Sequence, residues 1–192
     1  MTRLAVLASG SGTNAQRMAE HFKGHGTVQV ALFCTDNPKA GVIQRAWDLG
    51  VPLLLFDKAL LRNGELQQEL LAQRIDMIVL AGFMQLIPVE LVRAFPKRIV
   101  NIHPALLPKY GGKGMYGDRV HAAVIAAREK ESGITIHYVN EHYDEGEHIA
   151  QFRCPVMKDD TAASLAQRVH GLEHEHYPVV VETIAAVQRM KG

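Results

Sequence analysis

The residues best suited to chemistry fall in a few short stretches of the chain. Asn101 and His103 are two apart in Val100-Asn101-Ile102-His103-Pro104. Within a strand such residues point to the same face, so an amide and an imidazole stand side by side. Pro104 stops the ladder directly after them and leaves both at the C-terminal edge of a sheet. Burying that pair is costly unless the two groups meet a ligand or each other. A lone histidine is usually a satisfied core or surface residue, whereas this pair, followed by a loop holding Pro104 and Pro108, points to a ligand at the sheet edge.

A second stretch is Ser9-Gly10-Ser11-Gly12-Thr13-Asn14, between a strand-like run and a helical pattern. Glycines there let the backbone come close to an anion, and the free N–H groups of a helix start point at it. The third glycine of a dinucleotide fingerprint is replaced by Ala15 and no Walker lysine follows, so the loop reads as a monophosphate site. The competing reading is an ordinary glycine turn with Thr13 as the helix cap. Asp144, in His142-Tyr143-Asp144-Glu145-Gly146, reads by itself as a solvated loop acid. His121, His137, His142 and His148 lack the spacing of a metal motif, so no metal is expected. The string from His170 to Pro178 reads by spacing as a solvated helix face.

These stretches need elements to carry them. Apolar runs at Arg3–Ser9, Val28–Thr35, Leu53–Phe56, Asp76–Ala81 and Ile99–Ile102 predict five strands. Helical patterns follow the first run to about Lys23 and recur at Gly41–Leu49, Glu65–Gln73 and Pro88–Ala94. Strands alternating with helices imply crossovers and a parallel sheet covered on both faces. Pro104–Gly117 is rich in glycine and proline and reads as loop, and Arg119–Lys130 as helix. Ile134–Val139 and His148–Val156 then predict an antiparallel hairpin around Asn140–Glu147, and Thr161 caps a final helix reaching Met190. The expected fold is α/β: one domain over 1–192 with a mostly parallel, Rossmann-like sheet, helices on both faces and an antiparallel C-terminal hairpin.

The chain has 192 residues and a formal net charge of +1. A phosphate-backbone partner would leave a basic stripe, which disfavours nucleic acid as a partner. No segment approaches the roughly 20 apolar residues of a membrane span, so no membrane partner is expected. Cys34 and Cys154 sit among apolar residues and read as reduced core thiols, and the strand-like start of the chain gives no signal peptide. A cytoplasmic protein, monomer or homodimer, is the expectation.

With these residues in view, the chain resembles the folate-dependent glycinamide ribonucleotide formyltransferases over essentially its whole length. The resemblance rests on Ser9-Gly10-Ser11-Gly12-Thr13-Asn14, Leu80-Ala81-Gly82-Phe83-Met84, and Asn101-Ile102-His103-Pro104 through Lys109-Tyr110. It continues in Gly133-Ile134-Thr135-Ile136-His137-Tyr138-Val139 leading to Asp144-x-Gly146, and in Glu173-His174-x-x-Tyr177-Pro178. It implies transfer of a formyl group from 10-formyltetrahydrofolate, the co-substrate, to the amine of glycinamide ribonucleotide in purine synthesis. The implied catalytic residues are Asn101, His103 and Asp144. Asn101 would donate to the oxygen of a tetrahedral intermediate, and protonated His103 would stabilise it and act as acid. Asp144 would hold the imidazolium and raise its pKa. Gly12, Thr13, Asn14 and Glu173 would bind the acceptor, and Met84, Gln85, Leu86, Ile87, Asn101, Asn140 and Asp144 would line the folate slot.

Three departures touch the folate side. Gln85 stands where many relatives have arginine, Asn63 stands beside Arg62 where relatives use arginine near the folate tail, and Gly111–Gly117 replaces a Pro-Gly-x-His type of loop. A formyltetrahydrofolate hydrolase would share the Asn, His and Asp set but lacks the Ser-Gly-x-Gly loop. A tRNA-directed formyltransferase would need a further domain, and a non-catalytic nucleotide-binding regulator gives no reason for the Asn, His and Asp set.

Overall fold

Fourteen elements follow one another in the computed structural model, which describes residues 1–191. They are β1 (Thr2–Leu7), α1 (Thr13–His21), β2 (Val28–Thr35), α2 (Val42–Leu49), β3 (Leu53–Leu55), α3 (Lys58–Arg62) and α4 (Glu65–Ala72). Then come β4 (Met77–Leu80), α5 (Val89–Ala94), β5 (Ile99–His103), α6 (Asp118–Ala126), β6 (Glu131–Tyr138), β7 (His148–Pro155) and α7 (Ala162–Lys191). The strands form one seven-stranded sheet in the order β3-β2-β1-β4-β5-β6-β7. β1 to β5 pair in parallel, and β6 and β7 add antiparallel.

Alternation along the strands divides the core in two. Leu4, Val6, Phe33, Val79 and Val100 pack with Met18 of α1 and with Tyr177 and Val181 of α7 on one face. Ala5, Leu7, Leu32, Ile78 and Ile99 pack with Leu66, Leu70 and Leu91 from α4 and α5 on the other. Strands buried on both faces must be apolar at every position, which is why their sequences read as continuous runs. The two cysteines are buried and unpaired, as the sequence suggests. Among the described residues no helix is long and apolar enough to cross a membrane.

α3 is absent from the sequence reading. Its signal is Asp57, whose Oδ1 accepts the N–H groups of Ala59 and Leu60 at 2.8 and 2.9 Å, an N-cap for a helix too short to show periodicity. The cap expected at Thr161 is present, with Oγ1 accepting the Ser164 N–H at 3.2 Å. The cap expected as one alternative at Thr13 is not: α1 begins from Gly12 with no side-chain cap.

β1 lies between β2 and β4, so the chain reverses its direction of travel across the sheet at that point. Crevices at the C-terminal ends of strands flanking such a reversal are where open parallel sheets bind ligands. α7 crosses beneath this point. Its fully buried Tyr177 hydroxyl lies 2.9 Å from the Leu80 carbonyl and 3.0 Å from that of Val100, linking the helix to the ends of β4 and β5. Replacing Tyr177 with phenylalanine should strand buried carbonyl capacity and lower unfolding free energy by about 1–2 kcal/mol. Urea denaturation measures this, and an unchanged midpoint would count against the strut.

Candidate active site

A cleft of about 510 Å³ opens at the C-terminal edge of β1, β4 and β5, within the usual range for small-molecule sites. Its wall includes Gly12, Thr13, Asn14, Met84, Gln85, Leu86, Ile87, Asn101, His103, Asp144 and Glu173. Of the site residues expected from sequence, Asn140 alone is not on that wall. Its Oδ1 instead accepts the His142 N–H at 3.0 Å and closes a turn. Asn63 is also spent locally, accepting the Glu65 N–H at 3.0 Å at the start of α4.

β5 runs through His103, so Asn101 and His103 share the face that the period of two predicts. β6 pairs beside it with His137 opposite Asn101 and Thr135 opposite His103. The Thr135 hydroxyl donates to the Ala105 carbonyl at 2.7 Å and accepts the Leu107 N–H at 3.0 Å. That pins the loop which carries the Tyr110 carbonyl to within 2.8 Å of His103 Nε2. Asp144 arrives from the β6–β7 connection. Gly146, two residues on, lies so close to β6 that a Cβ there would fall 1.6 Å from the Tyr138 oxygen. Only glycine lets the loop lie this flat.

The Asp144 carboxylate, 11% exposed, is surrounded by donors. Oδ2 accepts the Gly112 N–H at 2.9 Å and lies 3.4 Å from His103 Nδ1. Oδ1 accepts from Asn101 Nδ2 at 3.4 Å and lies 3.7 Å from His137 Nε2. Burial pushes this carboxyl up, but the His137 ring, the His103 ring and the Gly112 N–H together outweigh it and hold it below its ordinary value. It is therefore ionised at neutral pH.

His103 departs from expectation. Burial pushes its pKa down, and Asp144 and the Tyr110 carbonyl push it up without fully compensating, so the net direction is downward. Asp144 does favour the imidazolium, but the ring is 3% exposed and desolvation wins. Both ring nitrogens nonetheless face acceptors, so a proton taken up by the ring has a partner at each end.

His137 is a residue the sequence reading leaves unassigned. Its Nδ1 lies 2.8 Å from the Tyr138 carbonyl, which can only accept, so Nδ1 carries the hydrogen. Nε2 then accepts from Asn101 Nδ2 at 3.1 Å and orients the amide. The other Asn101 N–H has only the long contact to Asp144 and is the one free to turn to a substrate.

The opposite half of the cleft is built on the Gly12 loop and the start of α1. Gly12 has φ +76, and a Cβ there would lie 2.6 Å from Val42 Cβ. Val42 N–H donates to the Gly10 carbonyl and Arg45 Nε to the Ser11 carbonyl at 2.7 Å, which holds the loop against α2. Glu173 is 4% exposed and accepts from Asn14 Nδ2 and His170 Nδ1, each at 2.8 Å. The helix-face reading by spacing therefore fails here, because α1 packs over this position and spacing along α7 cannot reveal that. The Glu173 bond raises the His170 pKa against its partial burial. Asn14 Oδ1 and His121 Nδ1 are buried without partners, and both residues line the cleft.

Gly12→Ala places a side chain in left-handed backbone, at about 1–2 kcal/mol, and adds the collision with Val42. A fall of at least about 1 kcal/mol in urea-derived stability is expected, and no change would contradict this loop geometry.

The family model described as formyl transferase matches residues 2–181. The chain is 46% identical over 190 residues to the chloroplastic phosphoribosylglycinamide formyltransferase of Vigna unguiculata, covering 95% of this chain and 60% of that protein. It thus spans less than two thirds of that relative. It is 36% identical to the phosphoribosylglycinamide formyltransferase of Bacillus subtilis, covering 96% of this chain and 95% of the relative. Its fold superposes on glycinamide ribonucleotide transformylase 1 from Symbiobacterium toebii with a TM-score of 0.88 and 34% identity, covering 97% of this chain and 88% of that one. By sequence and by fold, this chain belongs to the formyl transferase family.

Proposed function

We propose that the chain transfers the formyl group of 10-formyltetrahydrofolate to the amine of glycinamide ribonucleotide, a step in purine biosynthesis, and that it forms one catalytic domain. The observation that carries this is the contact of Asn101, His103 and Asp144 in a cleft flanked by an anion loop and an apolar wall.

The two ends of the cleft suit the two substrates. The uncapped start of α1 and the Gly12 loop offer N–H groups to a phosphate. The Glu173 carboxylate and the unpartnered Asn14 Oδ1 are acceptors, as ribose hydroxyl donors require. On the other side Met84, Leu86 and Ile87 give a flat pteridine apolar surface, with Lys113 and Arg119 on the wall as cations for an anionic tail.

In the reaction the acceptor nitrogen bonds to the formyl carbon, and its oxygen becomes negative. The free Asn101 N–H and the His103 ring stabilise that charge. A second negative charge beside His103 favours the imidazolium, so the ring that burial keeps mostly neutral gains its proton as the intermediate forms. The ring keeps Nδ1 on Asp144, and its Nε2 proton leaves the Tyr110 carbonyl for the folate nitrogen as the carbon–nitrogen bond to the folate breaks. The acceptor nitrogen loses one proton through water ordered by Asp144, which balances the one gained by folate.

A hydrolase would use the same trio on water. The polar half built from Asn14, Glu173 and the glycine loop has no use in that reaction. Purified protein should consume 10-formyltetrahydrofolate only when glycinamide ribonucleotide is present. Release of formate at a comparable rate without acceptor would replace this reading with the hydrolase. His103→Ala should cut turnover by about 10²-fold or more while leaving acceptor binding intact, and surviving turnover would remove its role.

The electrostatics give a separate check. The His103 imidazole should titrate below the ordinary value of about 6.5. Asp144→Asn removes the opposite charge that favours the cation, so the pKa should fall further. Nitrogen-15 NMR of the ring measures both, and an unchanged or raised value in the variant would contradict the assigned coupling.

A further inference from the structure

Behind the cleft wall, one carboxylate joins three chain segments. Asp36 follows the end of β2 and does not line the cleft. Ser9 Oγ donates to Asp36 Oδ1 at 2.6 Å and accepts the Met84 N–H at 3.1 Å. Gln85 Nε2 donates to Asp36 Oδ2 at 3.0 Å. Asn37 Nδ2 adds a bond to the Ser9 carbonyl at 2.9 Å, and Ser9 N–H donates to the Gly82 carbonyl at 3.1 Å. Ser9 is also the first residue of the glycine loop, so its hydroxyl ties that loop both to Asp36 and to the wall at Met84.

Packing does little to orient the 84–87 wall. Met84 and Leu86 are 42% and 43% exposed, and Ile87 is the buried anchor. The position of the wall therefore depends on hydrogen bonds, and its Gln85 side chain turns back to Asp36.

We propose that Asp36 is a positioning residue that, through Ser9 and Gln85, sets the folate-facing wall at a fixed distance from the phosphate loop. This rests on the formyl-transfer reading above. A misplacement of about 1 Å between bound reactants can cost on the order of 10² in rate, so a fixed spacing between the two halves has a function that fold stability alone does not require. Either oxygen of Asp36 can be satisfied only by a donor, and Gln85 is the donor on the wall.

An exchange of partners tests this. Gln85→Glu sets two carboxylates against each other and should open the wall. The KM for 10-formyltetrahydrofolate should rise about tenfold, equivalent to about 1.4 kcal/mol, while the KM for glycinamide ribonucleotide moves by less than about twofold. Adding Asp36→Asn restores a donor–acceptor pair, since the new amide can donate to the new carboxylate while still accepting from Ser9. The double variant should recover the folate KM to within about threefold of wild type. Calorimetric binding of 10-formyltetrahydrofolate without acceptor gives the same comparison free of turnover. Wild-type affinity in Gln85→Glu, or no recovery in the double variant, overturns the assignment even if Gln85→Glu folds poorly. Wild-type protein that binds no formyl folate overturns the formyl-transfer reading and this inference with it. Folate binding by wild type with equal binding by Gln85→Glu overturns this inference alone.

Discussion

Asp144 imposes the strictest condition on this structure, because a carboxylate with 11% of its side chain exposed must be satisfied almost wholly by the chain itself. An uncompensated charge at that depth would cost several kcal/mol. Its donors come from β5 and the glycine-rich loop at Gly112, and the Asn101 amide on β5 is itself held by His137 Nε2 of β6. β5 and β6 must therefore lie side by side, antiparallel, with Asn101 opposite His137. A one-residue slip would turn His137 to the other face of the sheet and leave the amide of Asn101 without its acceptor. The close approach of Gly146 to β6 completes the arrangement by bringing Asp144 down onto the pair.

The two halves of the sheet divide the chemistry. The parallel half supplies an anion loop after β1 and an apolar wall after β4, on either side of the chain reversal. The antiparallel edge, through the β6–β7 connection, brings Asp144 against Asn101 and His103 at the end of β5. α7 links them, because Glu173 and Tyr177 are four residues apart and lie on the same side of the helix. One reaches Asn14 at the anion loop and the other reaches the carbonyls of Leu80 and Val100. The Glu173 carboxylate on the cleft wall is thereby fixed to the ends of β4 and β5.

Much of this was legible in the residues, for identifiable reasons. Strands buried on both faces must be apolar throughout, so β2 and β4 stood out, and the two-residue period placed Asn101 and His103 together. α3 was not legible, since five residues are too few for a helical period and Asp57 was its only mark. Glu173 and His137 were opaque to spacing because their roles are set by what packs against them, α1 in one case and β5 in the other. Motif resemblance points to Glu173 and is silent on His137. The side expected to hold folate is the least legible. Asn140 and Asn63 bond within their own turns, and Gln85 turns to Asp36, none of which composition can show. The direction of the His103 shift was also out of reach, because it depends on how deeply the ring is buried.

Formyl transfer as proposed requires one oxygen site within reach of both Asn101 and His103, between the two substrate halves. A crystal structure with a stable adduct joining glycinamide ribonucleotide to a folate analogue tests it most directly. The phosphate is expected on the Gly12 loop, the ribose hydroxyls on Glu173, and the oxygen that mimics the formyl oxygen about 3 Å from Asn101 Nδ2 and from the His103 ring. An adduct bound with that oxygen directed away from both, or with its phosphate away from the Gly12 loop, would contradict it.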